Sequence, residues 1–304
     1  MSFRVTILGA TSAIPTKSKA PTAQIISSEQ SSYLVDCGEG TQIQMRKYGV
    51  KMQRLEAIFI SHMHGDHYFG LVGLLNSMSL LGREKTLKIF APPLLQNIIE
   101  LQFKAAKTKP KFKIEFRNLT FDQHIKIFED NKIEVYTIPL DHRIPCNGFL
   151  FREKPLPLKI KKEKITQYAI PIEKIKAIKA GSDYQTENGK IIPNASLTIK
   201  PTAPHQYAFC SDTLYNEDII PIIQNSELLY HEATFTNSEA QRASDTYHST
   251  AAQAAAIAHK ASVKKLILGH YSARYKNTDQ HLSEAASIFE NTHCARQGDV
   301  FITE

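Results

Sequence analysis

The chain has 304 residues, of which 42% are apolar and 22% charged. This composition excludes a disordered polypeptide and supports a substantial core in one large domain or two small ones. No apolar run is long enough to cross a bilayer as a helix, and no membrane partner is expected. The N-terminus runs almost directly into a strand-like segment without a cleavable signal pattern, so a cytoplasmic location is expected. Cys37, Cys146, Cys210 and Cys294 contain no Cys-x-x-Cys pair. That spacing fits reduced, buried thiols better than a disulfide framework or a zinc knuckle. Lys and Arg number 37 against 30 Asp and Glu, a formal charge of +7. The excess is clustered: residues 151–180 carry nine basic residues against three acidic ones, and Lys104, Lys107, Lys109, Lys111 and Lys113 form a second patch. Basic clusters favour polyanions, either nucleic acid or an acidic membrane surface.

Residues 4–8 alternate as a strand and lead into a turn-rich loop, 9–21. Strands at 24–27 and 32–35 follow, and the segment 36–42 feeds a helix over 42–48. Residues 55–60 read as a buried strand, followed by Ser61-His62-Met63-His64-Gly65-Asp66-His67 and a helix over 68–81. A strand at 87–90 precedes Pro92 and Pro93, which mark the start of another helix. Residues 132–138 alternate as a strand and run into Asp141-His142. From 151 to 193 the pattern changes to a lysine-rich stretch without sustained periodicity that ends in Glu187-Asn188-Gly189-Lys190, a good hairpin turn. That stretch reads as an inserted arm. Core strands resume at 206–210, 228–230 and 265–268, running into Asp212, His231-Glu232 and His270. An alanine-rich helix over 251–261 opens at His248-Ser249-Thr250, with Ser249 or Thr250 as its N-cap.

The 61–67 segment packs three imidazoles and a carboxylate into six positions. These are the donor types that hold zinc and similar divalent ions. His142, Asp212 and His270 each follow a strand end as well, and donors hung on strand ends can meet at one edge of a packed structure. A two-cation site follows: His62, His64 and His142 for the first ion, Asp66, His67 and His270 for the second, with Asp212 bridging through its two oxygens. Two such ions activate water against a phosphodiester. Asp66 is the candidate general base, His248 the candidate proton donor, and Glu232 the carboxylate that keeps His248 protonated. His124, His205, His231, His259, His281 and His293 read as ordinary surface or packing histidines. Strands alternating with helices in both halves suggest an α/β fold of two sheets with helices outside.

The His-x-His-x-Asp-His motif resembles that of the metallo-β-lactamase superfamily. Asp-Cys-Gly-Glu-Gly-Thr-Gln (36–42), Leu-Gly-Ala-Thr-Ser-Ala-Ile-Pro-Thr (8–16), His-Glu-Ala-Thr-Phe (231–235), His-Ser-Thr (248–250) and Gly-His-Tyr-Ser-Ala-Arg-Tyr (269–275) narrow the resemblance to the ribonuclease Z family, over about residues 3–300. The resemblance implies a single αββα sandwich domain over 1–304, with two mixed central sheets flanked by helices and an inserted flexible arm at 151–193. It implies a zinc-dependent endoribonuclease that cuts precursor tRNA after the discriminator and leaves a 3′-hydroxyl. Two Zn2+ per subunit, or Mn2+ or Fe2+, would occupy the seven ligands proposed above. Pro15 and Lys17 resemble the loop that meets the tRNA 3′ end. Lys19 stands where Ser18-Lys19-Ala20 replaces the usual Arg-Asn. The arm, with Lys159, Lys161, Lys162, Lys164, Lys174, Lys176 and Lys179, would grip the tRNA. A homodimer is implied, with no further protein partner. The rivals are another hydrolase of the same fold (a cyclic-nucleotide phosphodiesterase, an arylsulfatase or an RNA exonuclease) and a non-catalytic RNA-binding module.

Overall fold

The computed structural model describes residues 3–28, 31–201 and 203–303. Six strands open the chain: β1 (Arg4–Gly9), β2 (Ala23–Ser28), β3 (Ser31–Val35), β4 (Leu55–Phe59), β5 (Leu87–Ala91) and β6 (Ile114–Asn118). Next come β7 (Lys126–Glu129), β8 (Ile133–Leu140) and β9 (Cys146–Glu153). Four two-residue strands follow, β10 (Lys159–Ile160), β11 (Tyr184–Gln185), β12 (Ile191–Ile192) and β13 (Thr198–Ile199). The chain then forms β14 (Gln206–Cys210), β15 (Leu228–Glu232), β16 (Lys265–Gly269), β17 (Thr292–Cys294) and β18 (Val300–Ile302). Two seven-stranded sheets result, ordered β18-β1-β2-β3-β4-β5-β6 and β17-β16-β15-β14-β9-β8-β7. Both are mixed: β3 to β6 and β14 to β17 run parallel, while β1–β2 and β9–β14 are antiparallel.

Side chains alternate across each strand, so the two faces of the first sheet enter different cores. Tyr33, Val35, Ala57 and Phe59 face the second sheet. Their neighbours Leu34, Ile58 and Ile60 face helices Thr41–Lys47, Leu71–Leu80 and Leu94–Ala105 through Met45, Leu74, Met78 and Ile99. Phe59 joins the sheets, stacked on Phe90 at 5.0 Å and edge-on to Phe151 at 5.5 Å. The helix Ala251–Lys260 lies on β15 and β16 through Ala254, Ala255 and Ala258, whose small side chains permit close approach. Thr250 caps it, with Gln253 completing a capping box.

The expected helix over 68–81 is two pieces, Gly65–Tyr68 and Leu71–Leu80. The break falls where Gly70 runs against the backbone of Gly38: a Cβ there would stand 2.0 Å from the Gly38 carbonyl oxygen. Residues 153–204 form a separate compact unit. It has its own small core of Ile170, Ile178, Tyr184, Ile192 and Leu197. The arm expected at 151–193 overlaps this unit. Phe151 is wholly buried between the sheets and pairs with Tyr207, and β13 pairs back onto β10, drawing residues beyond 193 into the unit. The turn at Gly189, with φ of 79°, joins β11 to β12 as expected.

Candidate active site

The turns after β3, β4, β8, β14 and β16, together with the end of β15, deliver the site residues to one end of the sandwich. His62, His64, His142 and Asp212 form one group of convergent donors, and Asp66, His67 and His270 form a second. In the first group His62 Nε2 and His142 Nε2 stand 3.1 and 3.2 Å from His64 Nδ1, and 3.5 and 3.8 Å from Asp212 Oδ2. In the second, His67 Nε2 lies 3.5 Å from both Asp66 Oδ2 and Asp212 Oδ1, and His270 Nε2 lies 3.4 and 3.2 Å from the same two atoms. A tetrahedral ion with zinc-like bond lengths requires donors about 3.3 Å apart, so both groups fit a cation. Asp212 turns one oxygen to each group. His67 Nε2 is buried without a hydrogen bond, which is the state of a ligand nitrogen whose partner is a metal.

Most of these donors are also held by a neighbouring group, as metal ligands require. His67 Nδ1 bonds to Asp36 Oδ2 at 2.7 Å, and Asp36 also accepts from the Ser61 N–H at 2.8 Å. Ser61 Oγ meets His62 Nδ1 at 2.9 Å, the Tyr247 carbonyl meets His142 Nδ1 at 2.8 Å, and Thr234 Oγ1 meets His270 Nδ1 at 2.9 Å. The Ala13 N–H donates to Asp66 Oδ2 at 2.7 Å. Four of these residues, Ala13, Asp36, Tyr247 and His270, have φ between 53° and 59°. Left-handed backbone at a non-glycine residue costs about 1–3 kcal/mol and persists only where the surroundings enforce it.

Burial lowers the pKa of His62, His64 and His142 and keeps them neutral, the form that binds a cation. His67 is the exception. Burial alone would lower it, but Asp212, Asp66 and Asp36 together raise it well above the ordinary imidazole value. Burial would raise the Asp66 carboxyl, yet His67 and His270 hold it well below the usual range. Asp212 is likewise held low, against burial, by His270, His67 and His62.

Beside these groups His248 Nδ1 bonds to Glu232 Oε1 at 2.9 Å. Glu232 is fully buried and also accepts from the backbone N–H groups of Thr213, Ser249 and Thr234 and from the Thr234 hydroxyl. Its carboxyl stays low despite burial because His248 faces it. Burial lowers His248, and Glu232 more than reverses this, raising it to about 9. Asp212, His248 and His270 also form a third grouping of nearby donors. An open cavity of about 440 Å³ exposes Asp66, Asp212, His248 and His270, with Arg143, Phe69 and Phe235 on its walls.

A family model described as Anti-Pycsar protein Apyc1 matches residues 3–156, half of the chain and five of the seven donor residues. A ribonuclease Z of Parabacteroides distasonis is 45% identical over 296 residues, 97% of each chain. The chain belongs to the ribonuclease Z family. The crystal structure of the short form of human tRNase Z matches with a TM-score of 0.72 and 25% identity over 99% of both chains. A metallo-β-lactamase fold protein of Bacillus subtilis, YhfI, matches at 0.68 and 20% over 99% of both, a likeness of fold. The two-sheet architecture is therefore the metallo-β-lactamase fold. As a ribonuclease Z family member the chain is a metal-dependent endoribonuclease, a phosphodiester hydrolase.

The structure brings all seven expected ligands of this ribonuclease Z family member together and sets His248 and Glu232 beside them. The six histidines read as ordinary lie outside the donor groups. Lys17 is exposed, and Lys19 Nζ donates to the Tyr275 carbonyl at 3.0 Å. In the 153–204 unit Lys159, Lys162, Lys174, Lys176 and Lys179 are exposed and Lys161 and Lys164 half-buried. Sequence reasoning missed the supports. Asp36 stands in a quoted motif, but nothing local assigns it to His67. Thr234, which touches His270, His248 and Glu232, has no sequence signal beyond its place after Glu232.

Proposed function

We propose that this protein removes the 3′ trailer from precursor tRNA by a single cut after the discriminator nucleotide, leaving a tRNA 3′-hydroxyl. The observation that carries the reading is Asp212 standing between two donor groups, with His248, backed by Glu232, facing the same cavity. The names of the relatives, ribonuclease Z and tRNase Z, supply the substrate class.

His62, His64, His142 and Asp212 would hold one cation, and Asp66, His67 and His270, with Asp212 between the two groups, would hold the other. We read both as zinc, with manganese or iron able to substitute. When bound, such a pair activates water at neutral pH and neutralises charge on the scissile phosphate. The Asp66 carboxylate would take the proton of the attacking water, and the Ala13 N–H on Oδ2 would hold that carboxylate in place. His248 gives its proton to the departing 3′ oxygen, and Glu232 keeps that proton in place until it is needed. Water attacks the phosphorus, so the substrate 2′-hydroxyl is not the nucleophile. Lys17, Lys19 and the seven lysines of the 153–204 unit contact RNA phosphates. The enzyme works as a homodimer in the cytoplasm.

The test is cleavage of an end-labelled precursor tRNA by the purified protein, with chelator and with zinc or manganese restored. One cut past the discriminator, lost with chelator and regained with metal, supports the reading. Turnover of bis-(p-nitrophenyl) phosphate with no cut in precursor tRNA would keep the hydrolase and discard the tRNA assignment.

A further inference from the structure

Behind the loop that carries Ala13 lies a second cavity of about 440 Å³, lined by Thr11, Ser18 and Tyr271 among others. Ser12, Ala13, His270 and Ser272 line the catalytic cavity, so the two cavities lie on opposite sides of the same two chain segments. The second cavity presents Lys19, Lys47, Lys276 and Arg296 against one carboxylate, Asp279. It meets a third cavity of about 770 Å³ at Tyr48, which lines both. That third cavity adds Arg4, Lys51 and Arg54, a row of serines and, among the described residues, no carboxylate.

Elsewhere on the surface cations find carboxylates: Lys85 holds Glu56, Lys113 holds Glu115, Lys260 holds Glu217 and Lys264 holds Glu227. Among the described residues no ion pair engages the seven cations of the two joined cavities. The nearby Asp299 is taken up by the Arg296 backbone N–H at 2.8 Å. Tyr48 is seated on Gly298, where a Cβ would stand 2.5 Å from the ring, and Lys47 Nζ lies 5.3 Å from its centroid. A cationic groove interrupted by an aromatic ring is the composition that takes single-stranded nucleic acid, with phosphates on the cations and bases beside the ring.

We propose that these two joined cavities bind the single-stranded 3′ trailer downstream of the cut, so that the protein holds its substrate on both sides of the scissile phosphate. This rests on the tRNA reading above. The groove borders the loop that also lines the catalytic cavity, and the outgoing strand would run past that loop.

The experiment uses the metal-loaded protein and precursor tRNAs with trailers of increasing length, with trailer-less tRNA as reference. The variants are the triple substitution Lys47→Ala, Arg54→Ala, Arg296→Ala and an equally charged control, Lys104→Ala, Lys107→Ala, Lys109→Ala; melting curves verify folding. Affinity of the unsubstituted protein should rise with trailer length. In the groove variant that rise should vanish, costing about tenfold on a long trailer, and the log–log salt slope should fall by about 0.7 for each phosphate that is no longer neutralised. Trailer-less tRNA should bind the groove variant as before, and the control variant should retain the length dependence. Equal losses on trailer-less tRNA, equal losses in the control, or no length dependence in the unsubstituted protein would overturn the inference while site-specific cleavage still stood. If precursor tRNA is not cut, the tRNA reading fails separately. Fluorescence anisotropy of an eight-nucleotide single-stranded RNA then decides the groove: binding lost in the groove variant alone upholds it as a single-strand site, and binding unchanged there overturns it.

Discussion

Two histidines at the site, His67 and His248, are each held at Nδ1 by a buried carboxylate, and the resemblance ends there. Asp36 stands 2.7 Å behind His67 and Glu232 stands 2.9 Å behind His248. The other nitrogen of His67 is sealed in, 3.5 Å from both Asp66 and Asp212. His248 lies on the wall of the open cavity, its side chain 12% exposed. A carboxylate behind an imidazole fixes its tautomer and favours its charge. What stands in front decides whether the ring gives up its proton to a cation or keeps it for a leaving group.

The largest effect expected is that of removing the cations. Chelation should take cleavage to background, and zinc should restore it, because every donor in front of His67 would then face unneutralised charge. Next, His248→Ala should lower kcat by about 10³-fold, the scale of a lost general acid, with metal content and tRNA binding unchanged. His67→Ala should instead lower the metal content measured on the purified protein. Equal metal loss in both variants would erase the distinction between the two histidines.

The carboxylates behind them separate in the same way. Asp36→Asn should weaken metal binding by about 10- to 100-fold, whereas Glu232→Gln should leave metal content intact and act on the pH profile. His248 must be protonated to serve as donor, and its pKa is raised to about 9 by Glu232. The rate should therefore hold through neutral pH and fall as pH rises toward 9, with the neighbouring cations drawing the limb to or below that value. In Glu232→Gln the alkaline limb should move to lower pH. An unmoved limb would assign it to another group. The smallest expected effect concerns His67. Without cations Asp212, Asp66 and Asp36 raise its pKa, against burial, well above the ordinary imidazole value. Loading expels that proton, so apparent metal affinity should tighten with pH by about tenfold per unit for each proton released. A pH-independent affinity, read by competition with a chromogenic chelator, would show His67 already neutral.

The convergence of these donors was legible because their signal is local or regular. His62, His64, Asp66 and His67 fall on one turn, and His142, Asp212 and His270 share the property of following a strand. The supports were not legible, since Asp36 acts 31 residues away and Thr234 acts 36 residues away, and no pattern within one element carries such pairings. The break between Tyr68 and Leu71 was hidden for a related reason: the residues read as one helix, and only contact with the Gly38 backbone shows why Gly70 interrupts it. The bounds of the 153–204 unit depend on β13 returning to β10, a pairing of two-residue strands too short to carry a periodic signal.

The bent backbones at Ala13, Asp36, Tyr247 and His270 have an evolutionary consequence. Each supports or supplies a donor in a conformation that an ordinary residue resists, so the site is an enclave of backbone strain held in place by a well-filled sandwich. Selection for heat resistance alone would straighten those bends and leave a sturdier protein with no catalytic use.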